Sequence, residues 1–343
     1  MKSLFRRWLG GSTPKPAGPL AADGQLASDL WVDRPDALSR LESIHRGGEV
    51  SSEEAAQLDQ FIRRGYLTFS LGDVTASATA LGSDVDRIWR ERPADLAYAW
   101  SGPLRSFAEA DLGRDRRPSY RIADLHSHSQ AALDLYLHPA IFRRVELALG
   151  RPAVATQSLY FEWGSQQALH RDPVFVQTQP PSHLIAAWIA LEDIHPASGP
   201  LVYMPGSHRL PYYQFAPGEF LFDQSRYGPA ETQAMAEHDR KQCAAAGLMP
   251  ETLVCPRGEV LLWHSSLLHG GSAVADPGKT RKSFVVHFSS ADRYKLRRQG
   301  IVEFLDDGGE RVERHRILET EEILERPGAR GFASPMVGYE PPR

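Results

Sequence analysis

Residues 258–289 read GEVLLWHSSLLHGGSAVADPGKTRKSFVVHFS and set the texture of the chain's second half. Two runs rich in Val, Leu, Phe and Trp flank a break containing Gly and Pro, which is the pattern of buried strands joined by turns. The pattern recurs upstream at 154–163 (VATQSLYFEW), 175–179 (FVQTQ), 184–193 (LIAAWIALED), 201–206 (LVYMPG) and 212–215 (YYQF). Short strands in succession, with no helix alternating between them, predict an antiparallel sandwich or barrel rather than a doubly wound parallel sheet. In the last run Phe284, Val286 and Phe288 share one face, and Arg281, Ser283, Val285 and His287 share the other. That second face has the mixed lining of a polar barrel interior.

Working outward, residues 228–247 (GPAETQAMAEHDRKQCAAAG) read as a helix inserted between strands, within a lid-like insert of about 223–250. Upstream, Ser51 followed by Ser52-Glu53-Glu54 predicts a capped helix running to Gly65, and a strand follows from Tyr66 to Leu71. Helical spacing returns over Asp73–Arg90 and Gln130–Leu149, the second stopping at Gly150. The expected organisation is therefore a flexible lead-in over 1–50, a single mainly β domain with flanking helices over 51–300, and a tail over 301–343. Within that domain helices occupy 51–150 and the β core 151–292. The tail is expected to hold little regular structure beyond a short helix near Glu319–Glu325.

Composition narrows the function classes. With 39 Lys and Arg against 43 Asp and Glu in 343 residues, the formal charge is -4, and the basic residues are scattered. No broad basic face is available for nucleic acid or an anionic membrane. The two cysteines, Cys243 and Cys255, make no disulfide framework, so a reducing cytoplasm is the expected compartment. The first residues, MKSLFRRWLGG, are basic but lack the apolar run of a signal peptide, and no window reaches the roughly 18 apolar residues of a membrane span.

The chemistry concentrates around Ala168-Leu169-His170-Arg171-Asp172-Pro173. At i and i+2 of an extended segment, His170 and Asp172 project from the same face. A second imidazole would complete a two-His, one-carboxylate facial triad, which leaves coordination positions open for a co-substrate and O2. Two histidines near the end of 258–271 compete for that place, His264 and His269. His269 is preferred because Leu267-Leu268 and Gly270-Gly271 give it a buried, close approach. Arg281, at the head of the next strand, could grip a carboxylate in bidentate fashion, although a solvated strand-end charge is the ordinary role for such a residue. His126, His128, His138, His183, His195 and His208 have no carboxylate two positions after them, as His170 has, and read as capping, turn or surface residues.

The ordered set His-Arg-Asp, then LEDIHPASGPLVYMPGSHR, then GEVLLWHSSLLHGGS, then Arg-x-Ser resembles the phytanoyl-CoA dioxygenase family, which includes the ectoine hydroxylases, over roughly residues 55–290. The resemblance implies a double-stranded β-helix, the cupin-like jelly roll, with Fe(II) held by His170, Asp172 and His269. It implies 2-oxoglutarate anchored by Arg281, with Trp188 packed against the co-substrate and Gln157 hydrogen-bonded to it. O2 would be the oxidant and an unactivated C–H of a small molecule the target, with succinate and CO2 released. Halogenating relatives carry a small residue in place of the aspartate, so Asp172 favours hydroxylation. Two other readings remain: the same triad holding zinc for hydrolysis, and a cupin-like metal-binding protein without oxygenase activity.

Overall fold

A computed structural model of the chain describes residues 20–100, 104–176, 178, 180–223, 226–292 and 323–332, with 301–307, 310–316 and residue 323 described as backbone only. Eleven strands carry the core: β1 Tyr66–Ser70, β2 Ala97–Ala99, β3 Arg105–Ser106, β4 Arg121–Ala123, β5 Ala153–Phe161, β6 Ile185–Ala190, β7 Leu201–Tyr203, β8 Glu251–Thr252, β9 Glu259–His264, β10 His269–Gly271 and β11 Ser283–Ser290. The large sheet runs β1-β9-β6-β11-β5-β4-β2-β3, antiparallel throughout this path, and a small sheet runs β10-β7-β8. Two facing antiparallel sheets form the expected jelly roll.

The period-2 alternation decides what each face meets. Ile185, Ala187, Ile189, Val260, Leu262, Phe284, Val286 and Phe288 join one core cluster with the helices. Ala186, Trp188, Ala190, Leu261, Trp263, Val285 and Phe161 pack with Leu201 and Tyr203 of the small sheet in the barrel interior. A one-residue slip would exchange these two sets, so burial on both faces pins the register.

The flanking helices are α1 Ala37–Arg46, α2 Ser52–Arg64, α3 Thr75–Glu91, α4 Leu112–Asp115, α5 Gln130–Tyr136 and α6 Pro139–Leu149, with α7 Pro229–Ala245 as the insert. Ser51 closes a capping box with Glu54, as its sequence predicts, and Gly65 ends α2 in the left-handed region. The single helical pattern 130–149 is two helices, because His138 caps a new start and Pro139 occupies its first turn. No described helix is long and apolar enough to cross a membrane.

Four expectations need correction. Residues 20–50 are not a mere lead-in: Leu30, Trp31 and Val32 join the helix-side core, Trp31 donates to the Leu147 carbonyl, and α1 follows. The described residues of 175–179, Phe175, Val176 and Thr178, lie in no strand, since Asp172–Val174 turns as a 3-10 helix and Pro180-Pro181 follows. Nor is 212–215 a strand, because the Tyr212 and Phe215 N–H groups go to the Gly24 and Glu219 carbonyls instead of a ladder. In the tail, Ile323–Arg326 and Ala329–Phe332 form a hairpin across Pro327-Gly328, and Gly331 pairs with Ala155. Residues 301–307 and 310–316 pair as a second hairpin. Residues 323–325, expected in a helix, are strand instead, Pro327-Gly328 supplies the tight turn that follows, and Ala329 and Phe332 bury against the domain. The expected helix residues before 323 lie outside the described residues.

Candidate metal centre and co-substrate pocket

His264 and His269 leave the same chain segment in different directions. In β9 the alternation turns Leu261 and Trp263 inward, while His264 faces outward against Phe61 of α2, 5.9 Å between ring centroids. After His264 the chain turns, and His269 opens β10 in the other sheet, opposite Tyr203. There it forms a reciprocal backbone pair with His170: His170 N donates to His269 O at 2.9 Å and His269 N to His170 O at 3.0 Å. A Cβ on Gly270 would lie 2.6 Å from the Gln167 carbonyl oxygen, and one on Gly271 2.6 Å from Ser165 Oγ. The glycine pair therefore permits the backbone of 165–168 to lie close enough for this bridge.

One ligand atom from each of His170, Asp172 and His269 lies within 4.8 Å of the others. His269 Nε2 is 3.4 Å and His170 Nε2 3.7 Å from Asp172 Oδ1. Arg171 between the ligands is extended (φ -110°, ψ 131°), which keeps His170 and Asp172 on one side even though Asp172 begins a turn. His170 Nδ1 sits 2.9 Å from the Ala168 carbonyl and His269 Nδ1 3.0 Å from the Leu267 carbonyl. A carbonyl only accepts, so each neutral ring carries its proton on Nδ1 and keeps the Nε2 lone pair for a cation. Burial, joined by repulsion from His269, pushes His170 down to about 4, so it stays neutral at pH 7. Burial opposes ionisation of Asp172, but the facing His269, His287 and His170 together outweigh it and hold the carboxyl below its ordinary range. Two imidazole lone pairs and one carboxylate are a donor set that suits Fe(II).

Arg281 is 2% exposed, and burial alone pushes it down to about 10, still protonated at pH 7. Its guanidinium lies 5.6 Å from the Phe161 ring and 5.8 Å from the Trp188 ring. Among the described residues no carboxylate reaches it within ion-pair distance, and its Nε, Trp188 Nε1 and Ser283 Oγ are buried without partners. An uncompensated buried cation with two neighbouring unused polar atoms is the cradle a dicarboxylate co-substrate would fill.

A family model described as "Phytanoyl-CoA dioxygenase (PhyH)" matches residues 72–283. The chain belongs to the phytanoyl-CoA dioxygenase family. Bovine peroxisomal phytanoyl-CoA dioxygenase is 25% identical over 142 residues, 40% of this chain and 37% of that protein, so the match spans well under two thirds of that relative. The ectoine dioxygenase of Halomonas elongata is 27% identical over 273 residues, covering 73% of this chain and 74% of that protein. Among solved structures, the non-heme alpha ketoglutarate dependent carbocyclase SnoK from nogalamycin biosynthesis superposes with a TM-score of 0.52. It is 17% identical and covers 71% of this chain and 86% of that chain, a likeness of fold.

Two residues of this family member's site escaped sequence reasoning. Trp263 Nε1 donates to Asp172 Oδ2 at 2.9 Å, fixing the carboxylate's second oxygen. His287 places Nε2 3.8 Å from the same oxygen and Nδ1 3.2 Å from Gln157 Oε1. Alternation in β9 and β11 marks both as interior-facing, but only the sheet pairing shows that they meet Asp172. Trp263→Phe keeps the bulk and removes the donor, so iron affinity is expected to fall about 10- to 100-fold. Competition against a chelator measures it, and unchanged affinity would mean that Trp263 does not hold the ligand.

The remaining histidines divide. His138 and His195 cap short helical starts, as expected. His126, His183 and His208 are buried rather than at the surface. His126 stacks on Tyr136 and reaches Ser158 Oγ, and His183 links Asp29 to Ser290. His208 reaches the Ile62 carbonyl. Their signal in sequence is hidden because each partner lies far along the chain.

Proposed function

We propose that the protein is an Fe(II)- and 2-oxoglutarate-dependent dioxygenase that hydroxylates an unactivated C–H of a small molecule, consuming O2 and releasing succinate and CO2. The observation that carries this reading is the buried Arg281, with no carboxylate within ion-pair distance among the described residues, on the interior face of β11 that also carries His287 to Asp172. A zinc hydrolase would leave that cation without a task.

In this reading His170, Asp172 and His269 hold the iron, and Trp263 and His287 orient Asp172. The bound iron supplies the oxidising chemistry, with 2-oxoglutarate as the source of electrons. Arg281 takes the distal carboxylate of 2-oxoglutarate through its fork of donors. Trp188 Nε1 donates alongside it, and Gln157, with Oε1 engaged by His287, offers its Nε2. Phe161, Leu261 and Val285 keep that end of the barrel dry, which strengthens the ion pair.

The substrate approaches from the insert. Phe175, 47% exposed, sets its ring 5.9 Å from His170 and 5.7 Å from Phe222. Asp239 of α7 reaches Arg171, between the two ligands, at 3.3 Å, while Met235 and Cys243 bury on the same helix. The insert is thereby fastened to the ligand-bearing segment, as a lid over the site requires.

The test is optical. Protein loaded with Fe(II) and 2-oxoglutarate without oxygen is expected to show the weak visible charge-transfer band of a bidentate keto-acid chelate. Fully iron-loaded protein lacking that band would overturn the co-substrate assignment.

A further inference from the structure

Trp263 touches two of the three metal ligands. Its Nε1–H donates to Asp172 Oδ2 at 2.9 Å, and its ring centroid lies 4.5 Å from that of His269. It also begins a line of oxidisable rings that leads away from the centre. Tyr66 of β1 lies opposite Trp263 across the β1–β9 ladder, so the two side chains leave the same face as neighbours. Tyr203 of β7, opposite His269 in the small sheet, meets Tyr66 with 4.7 Å between ring centroids. All three rings are buried in the barrel interior.

The line ends on a proton acceptor that reaches solvent. Tyr66 OH donates to Glu251 Oε2 at 2.9 Å, and the Glu251 side chain, 39% exposed, pairs with Arg64 at the surface. Burial, with the Glu251 hydrogen bond, raises the Tyr66 phenol above its ordinary pKa. Such a phenol gives up an electron readily only as its proton leaves, and Glu251 stands within proton-transfer reach of it. Phenylalanine at 66 would fill the same space without burying a hydroxyl.

We propose that Trp263, Tyr66 and Glu251 form a relay that discharges the centre when it activates O2 with no primary substrate bound. This rests on the oxygenase reading. One electron passes from Tyr66 through the Trp263 ring toward the ligands, and the Tyr66 O–H proton moves to Glu251, leaving a neutral phenoxyl radical. A one-electron reductant of the ascorbate class returns the electron from the surface side, and the proton goes back from Glu251. Two such cycles, with two protons from solvent, reduce the unspent oxygen atom to water. Idle turnover then takes in 2-oxoglutarate, O2, two electrons and two protons, and gives succinate, CO2 and water. Electron transfer between neighbouring rings spares His269 and Trp263 from taking up oxygen themselves.

The test mixes protein loaded with Fe(II) and 2-oxoglutarate with oxygenated buffer, without primary substrate or ascorbate, and follows it by stopped-flow absorption and freeze-quench EPR. Wild type is expected to show a transient tyrosyl radical whose EPR signal narrows when the protein carries ring-deuterated tyrosine. Tyr66→Phe, which loses only a hydroxyl, should lose most of that radical while keeping wild-type iron content and charge-transfer band. Tyr203→Phe should retain it. Glu251→Gln keeps an acceptor oxygen but takes no proton, so the radical should form severalfold more slowly. Peptide mass analysis should find oxygen added to Trp263 or His269 severalfold faster in Tyr66→Phe than in wild type, with ascorbate protecting wild type alone. Succinate release by wild type without a tyrosyl radical would overturn the relay and leave the oxygenase reading standing. A radical of equal yield in Tyr66→Phe, its loss in Tyr203→Phe, or an equal rate in Glu251→Gln would also overturn it. Protein with neither charge-transfer band nor succinate release would fell the oxygenase reading and the relay with it.

Discussion

His269→Ala is expected to lose iron to background after gel filtration, whereas His264→Ala keeps it near the wild-type level. Removing His269 deletes one of two imidazole ligands and opens the centre to water beside Asp172, from which its Nε2 lies 3.4 Å. The two surviving groups are adjacent on one segment and no longer close a triad. His264 lies on the other side of β9, with Nε2 3.1 Å from Asp33 Oδ1 and its ring 5.3 Å from His208. Its removal leaves Asp33 short of a partner and opens a small cavity, so the expected loss is about 1–3 kcal/mol of stability rather than metal. His264→Asn, which retains polar atoms, provides the same comparison at a smaller cost. Metal analysis of the purified variants checks this, and iron retained by His269→Ala but lost by His264→Ala would refute the assignment.

Arg281→Ala is expected to raise the 2-oxoglutarate dissociation constant well over tenfold while leaving iron content unchanged. Removing one member of a buried charge pair typically costs about 2–5 kcal/mol, and each ~1.4 kcal/mol is tenfold in affinity. Among the described residues the guanidinium faces the Phe161 and Trp188 rings and reaches no ligand of the metal. Lysine should rescue poorly, because a point charge cannot reproduce the fork. The free protein should respond in the opposite sense. Since the folded pKa of Arg281 lies below its ordinary value, its charge opposes folding at every pH where it is protonated in both states. Arg281→Met should therefore melt no lower than wild type without co-substrate, yet lose the stabilisation that 2-oxoglutarate confers. Titration of iron-loaded protein without oxygen measures the affinity, and equal constants in wild type and Arg281→Ala would move the anchor elsewhere.

Much of this site was legible in the chain because the relevant signals are short-range. Alternation over 281–289 separated the helix-facing Phe284, Val286 and Phe288 from the interior-facing Arg281, Ser283 and Val285, since a strand's side chains have no other choice of face. His170 and Asp172 are two residues apart, and the Ser51 capping box closes within one turn. The turn that reverses the chain after His264 is equally local, but its consequence is not: it carries His269 into the second sheet, while His264 stays among the helices. Pairing between distant segments then placed Trp263 and His287 on Asp172, and drew Trp31 and Phe332 into contact with the domain. Sequence by itself determined the long core strands, their faces and the juxtaposition of His170 with Asp172, because each depends on neighbours a few residues away. Only the tertiary structure decided which buried charges go unpaired, because a missing partner is defined by everything the fold brings near.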